Sequence, residues 1–566
     1  QNAGNPQVTV TGVHVAAGVT LTFPMNGINF STNDDFHNEG TVTSALNGVN
    51  RGNIQMTVAK YIGAAGSKVT LNGGNGTGAG GGAGGTFALF ADLISNAGDI
   101  DTSGGNGDAA GSFNGGSAGQ VSLQATRVFG QSGPTQNTGT VKAVGGTGKA
   151  NGGSGNQVVM FSWSKGVYNK GTVDTSGGGG GTGGGNASPV VFQSFFGGSI
   201  YTGGTLTSKG GDVDEAVCPA TCSGGLGNQV IFQAFGGDIV SASPVTTTGG
   251  KSKGVAGGSG GLIQFLTTDH SDPVLGTPRP AGSIRLTGTM DARGGAGASG
   301  GPANAIRLGI STGQAVGQEF EMFGYDTIDA SGGNGVTGAG SGSTIQIYNQ
   351  ISPNALPSGS VIVHANVSSK GGAASTSGVG GSGGPVQIWA GNGNLTGGPS
   401  LKGSTALIGG NVDTSAGAGV SGGGQSGPID IRGREQVDVF GTITGNGGNT
   451  TANGAPGGFA QNVSLLTSGP LNLNGAIAVK GGNASGTATA GGGTSNFQFW
   501  GGTVKATGNI SLTGGNGNGA NGGNSGQIDI RGSQAPSTLG SVTSTGGTGT
   551  PAGVNGPIFI DGNQVQ

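Results

Sequence analysis

One short phrase recurs along the chain from Val69 onward: an aliphatic residue, two or three small polar residues, and then a glycine pair. The second glycine of the pair moves from Gly74 to Gly547 in thirteen steps, a mean period of about 36 residues. A period of this length is typical of solenoid proteins, in which each repeat packs only against its neighbours. The copies begin at Val69, Ile100, Val141, Val173, Leu206, Val245, Met290, Ile328, Val367, Val412, Ile443, Ile477, Ile510 and Val542.

Each repeat has the same internal order. A glycine-rich loop follows the recurring phrase, then comes a strand with period-two alternation, and then a second short strand that leads into the next phrase. Alternation at period two turns one side of a strand inward, so the sequence predicts three short strands per coil and internal ladders between coils. Positions expected to match in these ladders include Val158, Val191, Ile231, Ile345, Val386 and Ile429.

The period decides the fold class because the composition alone does not. The 136 glycines and 20 prolines among 566 residues would be typical of a disordered chain if no period organised them. With the period, we expect one all-β domain over residues 1–566, a parallel β-solenoid without helices. Its predicted parts are irregular coils in 1–68, regular repeats in 69–547 and a last strand without an evident cap in 548–566.

Charged residues are sparse and scattered singly. Asp, Glu, Lys and Arg make up 8% of the chain, and the net charge is −3. There is no basic stripe for nucleic acid and no polybasic run for anionic lipid. A surface of Thr, Ser, Asn and Gly repels copies of itself only weakly, so it favours self-association or contact with glycans.

The chain begins at Gln1 without an initiator methionine, and it contains no apolar run long enough to span a membrane. We therefore expect a processed, secreted protein with no transmembrane segment. The two cysteines, Cys218 and Cys222, lie in an acidic loop and predict a small surface disulfide, with free thiols as the alternative. Zinc is disfavoured because no second Cys or His pair is nearby.

An Asn-x-Gly-x-Val/Ile element precedes several of the recurring phrases, at Asn38, Asn96, Asn137 and Asn169. Glycine suits the corner between two faces of a coil, and asparagine can cap the turn or stack on asparagine in the next coil. This element resembles the repeats of filamentous-haemagglutinin-type proteins and autotransporter passenger domains. The resemblance implies a right-handed parallel β-helix at a bacterial surface, and the number of repeats predicts about 14–16 coils. The glycine-rich insertion in every coil is not part of the simple haemagglutinin repeat.

Candidate chemical groups are few. Aspartates directly after the leading aliphatic residue, which could serve acid–base chemistry if clustered, are solvent-facing in the simplest interpretation: Asp101, Asp174, Asp291, Asp329 and Asp413. Asp291 and Asp329 fall in successive coils and form a weak Ca²⁺ candidate. The histidines, His14, His37, His270 and His364, lack metal-ligand spacing. We predict no catalytic residue and no cofactor.

Aromatic residues are mostly phenylalanines, and several recur in consecutive repeats. The sequence predicts that they stack in the core, with a sugar-binding platform as the alternative: Phe161, Phe192, Phe232 and Phe265. The three tryptophans, Trp163, Trp389 and Trp500, can lie on the outer side of their strands and touch a partner.

These features predict a non-enzymatic structural subunit of an extracellular fibre, sheath or surface layer that polymerises by head-to-tail stacking of solenoid ends. The main alternative is a surface adhesin that binds glycans or cells. A polysaccharide lyase or hydrolase, which needs a cluster of carboxylate and basic groups, and an ice-binding protein rank below these two.

Overall fold

The computed structural model describes residues 11–25, 27–130, 132–214, 222–271, 278–312, 318–324, 326–351, 359–391 and 404–566. Within these ranges the chain is all-β, without a helix, and nearly all its strands pair in parallel. The fold divides into two compact units, Gln1–Gly254 with Thr267–Gly282 (unit 1) and Val255–Leu266 with Ser283–Gln566 (unit 2). Each unit is a parallel β-solenoid with three strand faces, as the sequence predicts; its handedness and a fixed coil length stay predictions.

In unit 1 the strands of each face are stacked on one another, one strand per coil. Face 1 contains Ile28–Ser31, Ile54–Gly63, Phe87–Asn96, Val121–Ala125, Val158–Ser162, Val190–Ser194 and Val230–Phe235. Face 2 contains Val13–Val15, Phe36–Asn38, the second halves of the two ten-residue strands of face 1, Thr135–Asn137, Val167–Asn169, Ile200–Thr202 and Ile239–Ser241. Face 3 contains Thr20–Phe23, Thr41–Ser44, Lys68–Thr70, Asp99–Asp101, Val141–Lys142, Val173–Asp174, Leu206–Thr207 and Val245–Thr246.

Unit 2 repeats this arrangement. Its face 1 contains Ile306–Thr312, Ile345–Ile351, Val386–Ala390, Ile429–Gly433, Val463–Thr467, Phe497–Gly501, Ile528–Gly532 and Ile558–Ile560. Its face 2 contains Ile284–Leu286, Phe320–Met322, Val361–Val363, Thr405–Ile408, Gln436–Val439, Pro470–Leu473, Thr503–Ala506 and Thr538–Leu539. Its face 3 contains Met290–Asp291, Thr327–Asp329, Asn366–Ser368, Val412–Asp413, Ile443–Thr444, Ile477–Lys480, Ile510–Thr513 and Val542–Thr545.

A few strands lie outside the three faces or depart from the parallel pattern. Two antiparallel hairpins in unit 1 join Leu46–Asn47 to Asn50–Arg51 and His270–Ser271 to Pro278–Arg279. In unit 2, Gly297–Ser299 pairs in parallel with Gly335–Gly338, and Asn563–Gln564 pairs antiparallel with Ile558–Ile560. One further strand is Ile263–Thr268.

The core consists of the inward side chains of the three faces. On face 1 of unit 1 the inward ladder runs through Phe87, Val121, Val158, Val190 and Val230, all fully buried. The predicted ladder is correct in unit 2, where Ile345, Val386 and Ile429 pair in register. It is wrong at Val191 and Ile231: Val191 pairs with Val159 and Ile231 pairs with Val191, one position away from the inward ladder. Three successive apolar residues hide the alternation there, so the prediction of which residues face inward is displaced by one residue.

A buried asparagine ladder fixes the corner between faces 2 and 3 in unit 1. The Asn96 Nδ2 donates to Asn137 Oδ1 at 2.8 Å, and the Asn137 Nδ2 donates to Asn169 Oδ1 at 2.8 Å. Each of these amides also donates to the carbonyl oxygen of the glycine two residues later. All three are 2% exposed or less. The predicted stacking of asparagine on asparagine is therefore confirmed, and it locks the register of adjacent coils.

The glycine-rich segments form ordered arms rather than loose loops. An outgoing arm leaves face 3 and a return arm enters face 1, and the two arms hydrogen-bond within one coil and to the next coil. In unit 1 the Gly105 N–H donates to Gly82 O, the Gly116 N–H to Gly105 O and the Gly146 N–H to Gly116 O, each at 2.8 Å. Backbone bonding in these arms repeats every three residues, the repeat of a polyproline II helix.

Two of every three arm residues face the backbone of a neighbouring arm, and the third faces outward. Gly104 bonds to the outgoing arm of the next coil and Gly105 bonds across to the return arm, whereas Asn106 is directed outward. The outward N–H is satisfied by a side chain: the Asn106 N–H donates to Asn75 Oδ1 and the Thr147 N–H donates to Asn106 Oδ1, both at 2.9 Å. This explains the Gly-Gly-Asn and Gly-Gly-Ser triplets of the sequence.

Close packing, not backbone freedom, requires glycine in the arms. A Cβ on Gly105 would lie 2.0 Å from Gly74 O, and one on Gly116 would lie 1.9 Å from Gly82 O. In unit 2 a Cβ on Gly448 would likewise lie 1.9 Å from Gly417 O. Any other residue would push the arms of successive coils apart.

We predict that Gly116→Ala destabilises unit 1 by about 1–3 kcal/mol or more, because the new methyl group overlaps the Gly82 carbonyl oxygen. Ser117→Ala, at the exposed outward position of the same arm, is the control and should be near neutral. Urea unfolding of both variants measures the difference. Equal stability of the two would show that the arms are not closely packed.

Candidate binding site

The face 1 strands of unit 1 end in a cluster of aromatic side chains. Phe161 and Trp163 come from the end of Val158–Ser162, Phe195 and Phe196 follow Val190–Ser194, and Phe235 ends Val230–Phe235. The pairing of Ser162 with Ser194, and of Ser194 with Ala234, aligns these ends in adjacent coils. Because the strands are parallel and in register, aromatic residues at matching ends must lie against one another.

The rings contact each other across three coils. Phe195 stacks on Phe235 with ring centroids 4.4 Å apart and lies 5.4 Å from Phe161. Trp163 lies 4.8 Å from Phe196 and 6.3 Å from Phe195. Trp163 is 37% exposed, and the four phenylalanines are partly exposed. The cluster is therefore on the surface and outside the core.

The hairpin His270–Ser271/Pro278–Arg279 folds over one side of this cluster. The His270 ring meets Phe196 edge to face, with centroids 4.6 Å apart. The Arg279 side chain lies along the backbone of the two preceding coils, where a Cβ on Gly197 would come within 2.3 Å of its Nη1. We call Phe161, Trp163, Phe195, Phe196, Phe235, His270 and Arg279 the aromatic patch.

The patch has two cations at its margin that make no ion pair within the described residues. Arg279 is exposed, and Lys165 is exposed two residues after Trp163. Other cations of the chain do have acidic partners, for example Lys209 with Asp212 at 2.7 Å and Lys370 with Asp413 at 2.9 Å. Arg279 and Lys165 thus add positive charge at the margin of the patch on a chain whose net charge is −3, while the Asp269 carboxylate beside His270 accepts a hydrogen bond from the Ala281 N–H.

Phe196 has an unusual backbone for an aromatic residue. Its φ is 50°, in the left-handed region, whereas the matching position in the next coil is Gly236 with φ 73°. A bulky residue with positive φ is strained and is typically found where function requires its side chain. Glycine would fill the same turn without strain.

The predicted aromatic stack is partly correct. Phe192 and Phe232 are fully buried with ring centroids 4.9 Å apart, and Phe265 is also buried. Phe161 is a correction: it is on the outward side of its strand, paired with Gln193, and belongs to the aromatic patch. Sequence reasoning missed Phe195, Phe196 and Phe235 as surface residues. The Phe-Phe-Gly-Gly turn after a strand was the available signal.

The other tryptophans lie outward on face 1 of unit 2, each beside an arginine. The Arg432 guanidinium lies 5.4 Å from the Trp389 ring centroid, and that of Arg531 lies 4.9 Å from the Trp500 centroid. Both arginines also pair with an aspartate of their own strand, Arg432 with Asp430 at 2.9 Å and Arg531 with Asp529 at 2.8 Å. These cations are engaged, unlike those of the aromatic patch.

The weak Ca²⁺ candidate is bridged by an arginine. Asp291 and Asp329 are direct neighbours on face 3 of unit 2, and the Arg293 guanidinium lies 2.7 Å from Asp291 Oδ2 and 3.7 Å from Asp329 Oδ2. Burial raises the pKa of Asp329, against hydrogen bonds from Ser331. Within the described ranges, no three His, Cys, Asp or Glu side chains form a group that could hold a metal ion.

The remaining predicted residues are dispersed. His14 lies 3.4 Å from Glu39, and His37 lies 4.0 Å from Asp35. Cys222 is disulfide-bonded, but Cys218 lies outside the described residues, so the pairing of these two cysteines stays a prediction.

Comparison with known proteins finds no relative of this chain. No family model, no curated protein and no solved structure matches the chain. In the part of the chain that the structure describes, no helix is both long and apolar enough to cross a membrane. The function is therefore inferred from the geometry of this chain alone.

Two aspartates of face 3 in unit 2 should respond oppositely to neutralisation. Burial would raise the pKa of Asp413, but hydrogen bonds from Ser415 and the ion pair with Lys370 lower it. Ionised Asp413 thus stabilises the fold at neutral pH, and this contribution is lost as the pH falls through its lowered pKa. The pKa of Asp329 is raised, so its ionised form costs stability above its ordinary pKa, and protonation restores it.

We predict that Asp413→Asn lowers the stability at pH 7 by on the order of 1 kcal/mol, whereas Asp329→Asn leaves it unchanged or raises it. Both differences should shrink as the pH approaches 3. Thermal unfolding between pH 3 and 7 tests this. A loss at Asp329→Asn equal to that at Asp413→Asn would contradict the proposed balance of burial and pairing.

Proposed function

We propose that this chain is a non-enzymatic structural protein, a subunit of an extracellular fibre, sheath or surface layer. The observation that carries the proposal is the layer of glycine arms. Through this layer, backbone hydrogen bonds run from coil to coil beside the strand ladders, as in the chain from Gly82 through Gly105 and Gly116 to Gly146. Such an arrangement adds stiffness and protects the backbone, since few amides are left free to open.

The outer surface of the arms suits contact between copies. Its outward positions carry short polar side chains, as at Asn106, Ser117, Thr147 and Ser154. Short side chains and little charge let two such surfaces approach closely without strong repulsion. Side-by-side association through the arms is therefore the route that we favour.

The sequence suggests head-to-tail stacking of coils as another route. On face 1 of unit 2, Asn563–Gln564 occupies the outer edge of Ile558–Ile560, so stacking there would require this hairpin to open. Side-by-side association needs no such change. A right-handed helix with coils of about 36 residues and location outside the cell belong to the same proposal.

The absence of enzymatic activity is also part of the proposal. Several charged groups of face 3 neutralise one another, as Arg293 does with Asp291 and Asp329 and as Lys370 does with Asp413. Aspartates without a basic partner cap backbone turns, as Asp174 does for the Ser176 N–H at 2.9 Å. A carboxylate engaged in this way is a poor general acid or base.

We predict that the purified chain assembles into fibres or sheets with rising concentration, as followed by sedimentation and negative-stain electron microscopy. The double variant Ser117→Lys/Ser154→Lys places two like charges on neighbouring return arms and should prevent side-by-side assembly while leaving the fold intact.

The matched control is Gln136→Lys/Thr138→Lys, which adds the same charge at exposed positions of face 2 and should assemble as the unaltered chain does. Single dispersed chains at every concentration would overturn the structural role. Normal assembly of the arm variant together with loss in the control would overturn the arm route.

A further inference from the structure

The aromatic patch of unit 1 is not explained by the structural role. Its side chains lie outside the solenoid core, and the core at the same coils is filled by Met160, Phe192 and Phe232, which pair in register and are fully buried. A partly exposed group of five aromatic rings outside the core marks a binding surface rather than a need of core packing. The patch therefore calls for a ligand of definite chemistry.

We propose that the aromatic patch binds a carbohydrate that carries carboxylates, of the polyuronate class. This site goes beyond the structural function and does not depend on it. The rings span three successive coils, from Phe161 through Phe195 to Phe235, which is about 10 Å at the usual strand spacing. That length accommodates about two sugar rings, whose apolar C–H faces can stack on exposed aromatic faces such as that of Trp163.

The charge at the margin selects an acidic ligand. Arg279 and Lys165 make no ion pair within the described residues, whereas Arg293 and Lys370 of face 3 do. A guanidinium group binds a carboxylate through two parallel hydrogen bonds, and an adjacent ammonium adds attraction without fixed geometry. A neutral sugar would leave both cations without an ionic partner among the described residues, so the carboxylate-bearing ligand fits best.

The strained backbone of Phe196 indicates that its aromatic side chain has a role other than folding. The next coil uses Gly236 at the matching turn, and glycine at position 196 would relieve the left-handed backbone. The Phe196 ring instead lies between Trp163 and His270, at 4.8 Å and 4.6 Å. Binding and folding therefore make opposite demands at this position, which allows them to be separated by experiment.

The test uses the full chain with polygalacturonate and with its fully methyl-esterified form, which has the same backbone without the charge. Isothermal titration and tryptophan fluorescence should show binding of the acid form, at least tenfold weaker binding of the ester, and weaker binding at high salt. Trp163→Ala, Phe196→Gly and Arg279→Gln should each weaken binding of the acid form tenfold or more.

Phe196→Gly is the decisive variant, because it should lose binding while its melting temperature stays equal or rises. Trp389→Ala removes an outward tryptophan of unit 2 and should bind as the unaltered chain does. The proposal is overturned if the acid form does not bind, if the ester binds equally well, or if Phe196→Gly and Trp163→Ala keep full affinity. It is also overturned if these variants abolish self-association without any polysaccharide binding, since the occupant would then be a second copy.

Assembly of the Phe196→Gly variant separates this inference from the structural role. The variant should still form fibres or sheets, because Phe196 is on face 1, away from the outward positions of the arms. A variant that assembles but does not bind supports both proposals. Failure of the unaltered chain to assemble, together with its normal binding of the acid form, would overturn only the structural role.

Discussion

The backbone hydrogen bond between successive coils is the interaction on which the rest of the structure depends. It runs along three strand faces and continues through the glycine arms, where it demands that backbones approach so closely that no Cβ fits. The glycine content is thus a packing requirement of the same kind as the glycine at every third position of collagen. Polar side chains extend this lattice of backbone hydrogen bonds between coils. Asn137 donates to Asn169 at a corner, and Asn106 accepts from the Thr147 N–H on the arm surface.

Much of this lattice could be predicted from the sequence. The recurring aliphatic–polar–Gly-Gly phrase marked face 3 and the start of each outgoing arm, and Asn-x-Gly predicted the buried ladder at the corner. The phase of face 1 could not be read wherever alternation failed, as at Val191, because outward and inward residues are there equally apolar. The sequence also predicted the glycine segments only as loops, since a three-residue hydrogen-bond repeat between distant segments leaves no hydrophobic period.

The candidate site was the hardest part to predict. Phe161 was expected in the core because phenylalanines recur in consecutive repeats, and only the pairing with Gln193 shows that it faces outward. That His270 meets Phe196 depends on a hairpin that folds back over earlier coils, and no local propensity encodes such a contact. The contact of Arg293 with Asp329 was equally hidden, because it arises from stacking of coils rather than from spacing along the chain.

The lattice and the patch are physically connected through rigidity. Phe196 can remain in a left-handed conformation because the strand before it, Val190–Ser194, is paired on both sides, which leaves the following turn little freedom to relax. The same pairing holds the rings of Phe195 and Phe235 in register, so the surface is organised before any ligand arrives. A preorganised surface spends less conformational entropy on binding than a mobile loop does. A stack of coils that is stiff enough for a structural role is therefore also a suitable support for a strained recognition site.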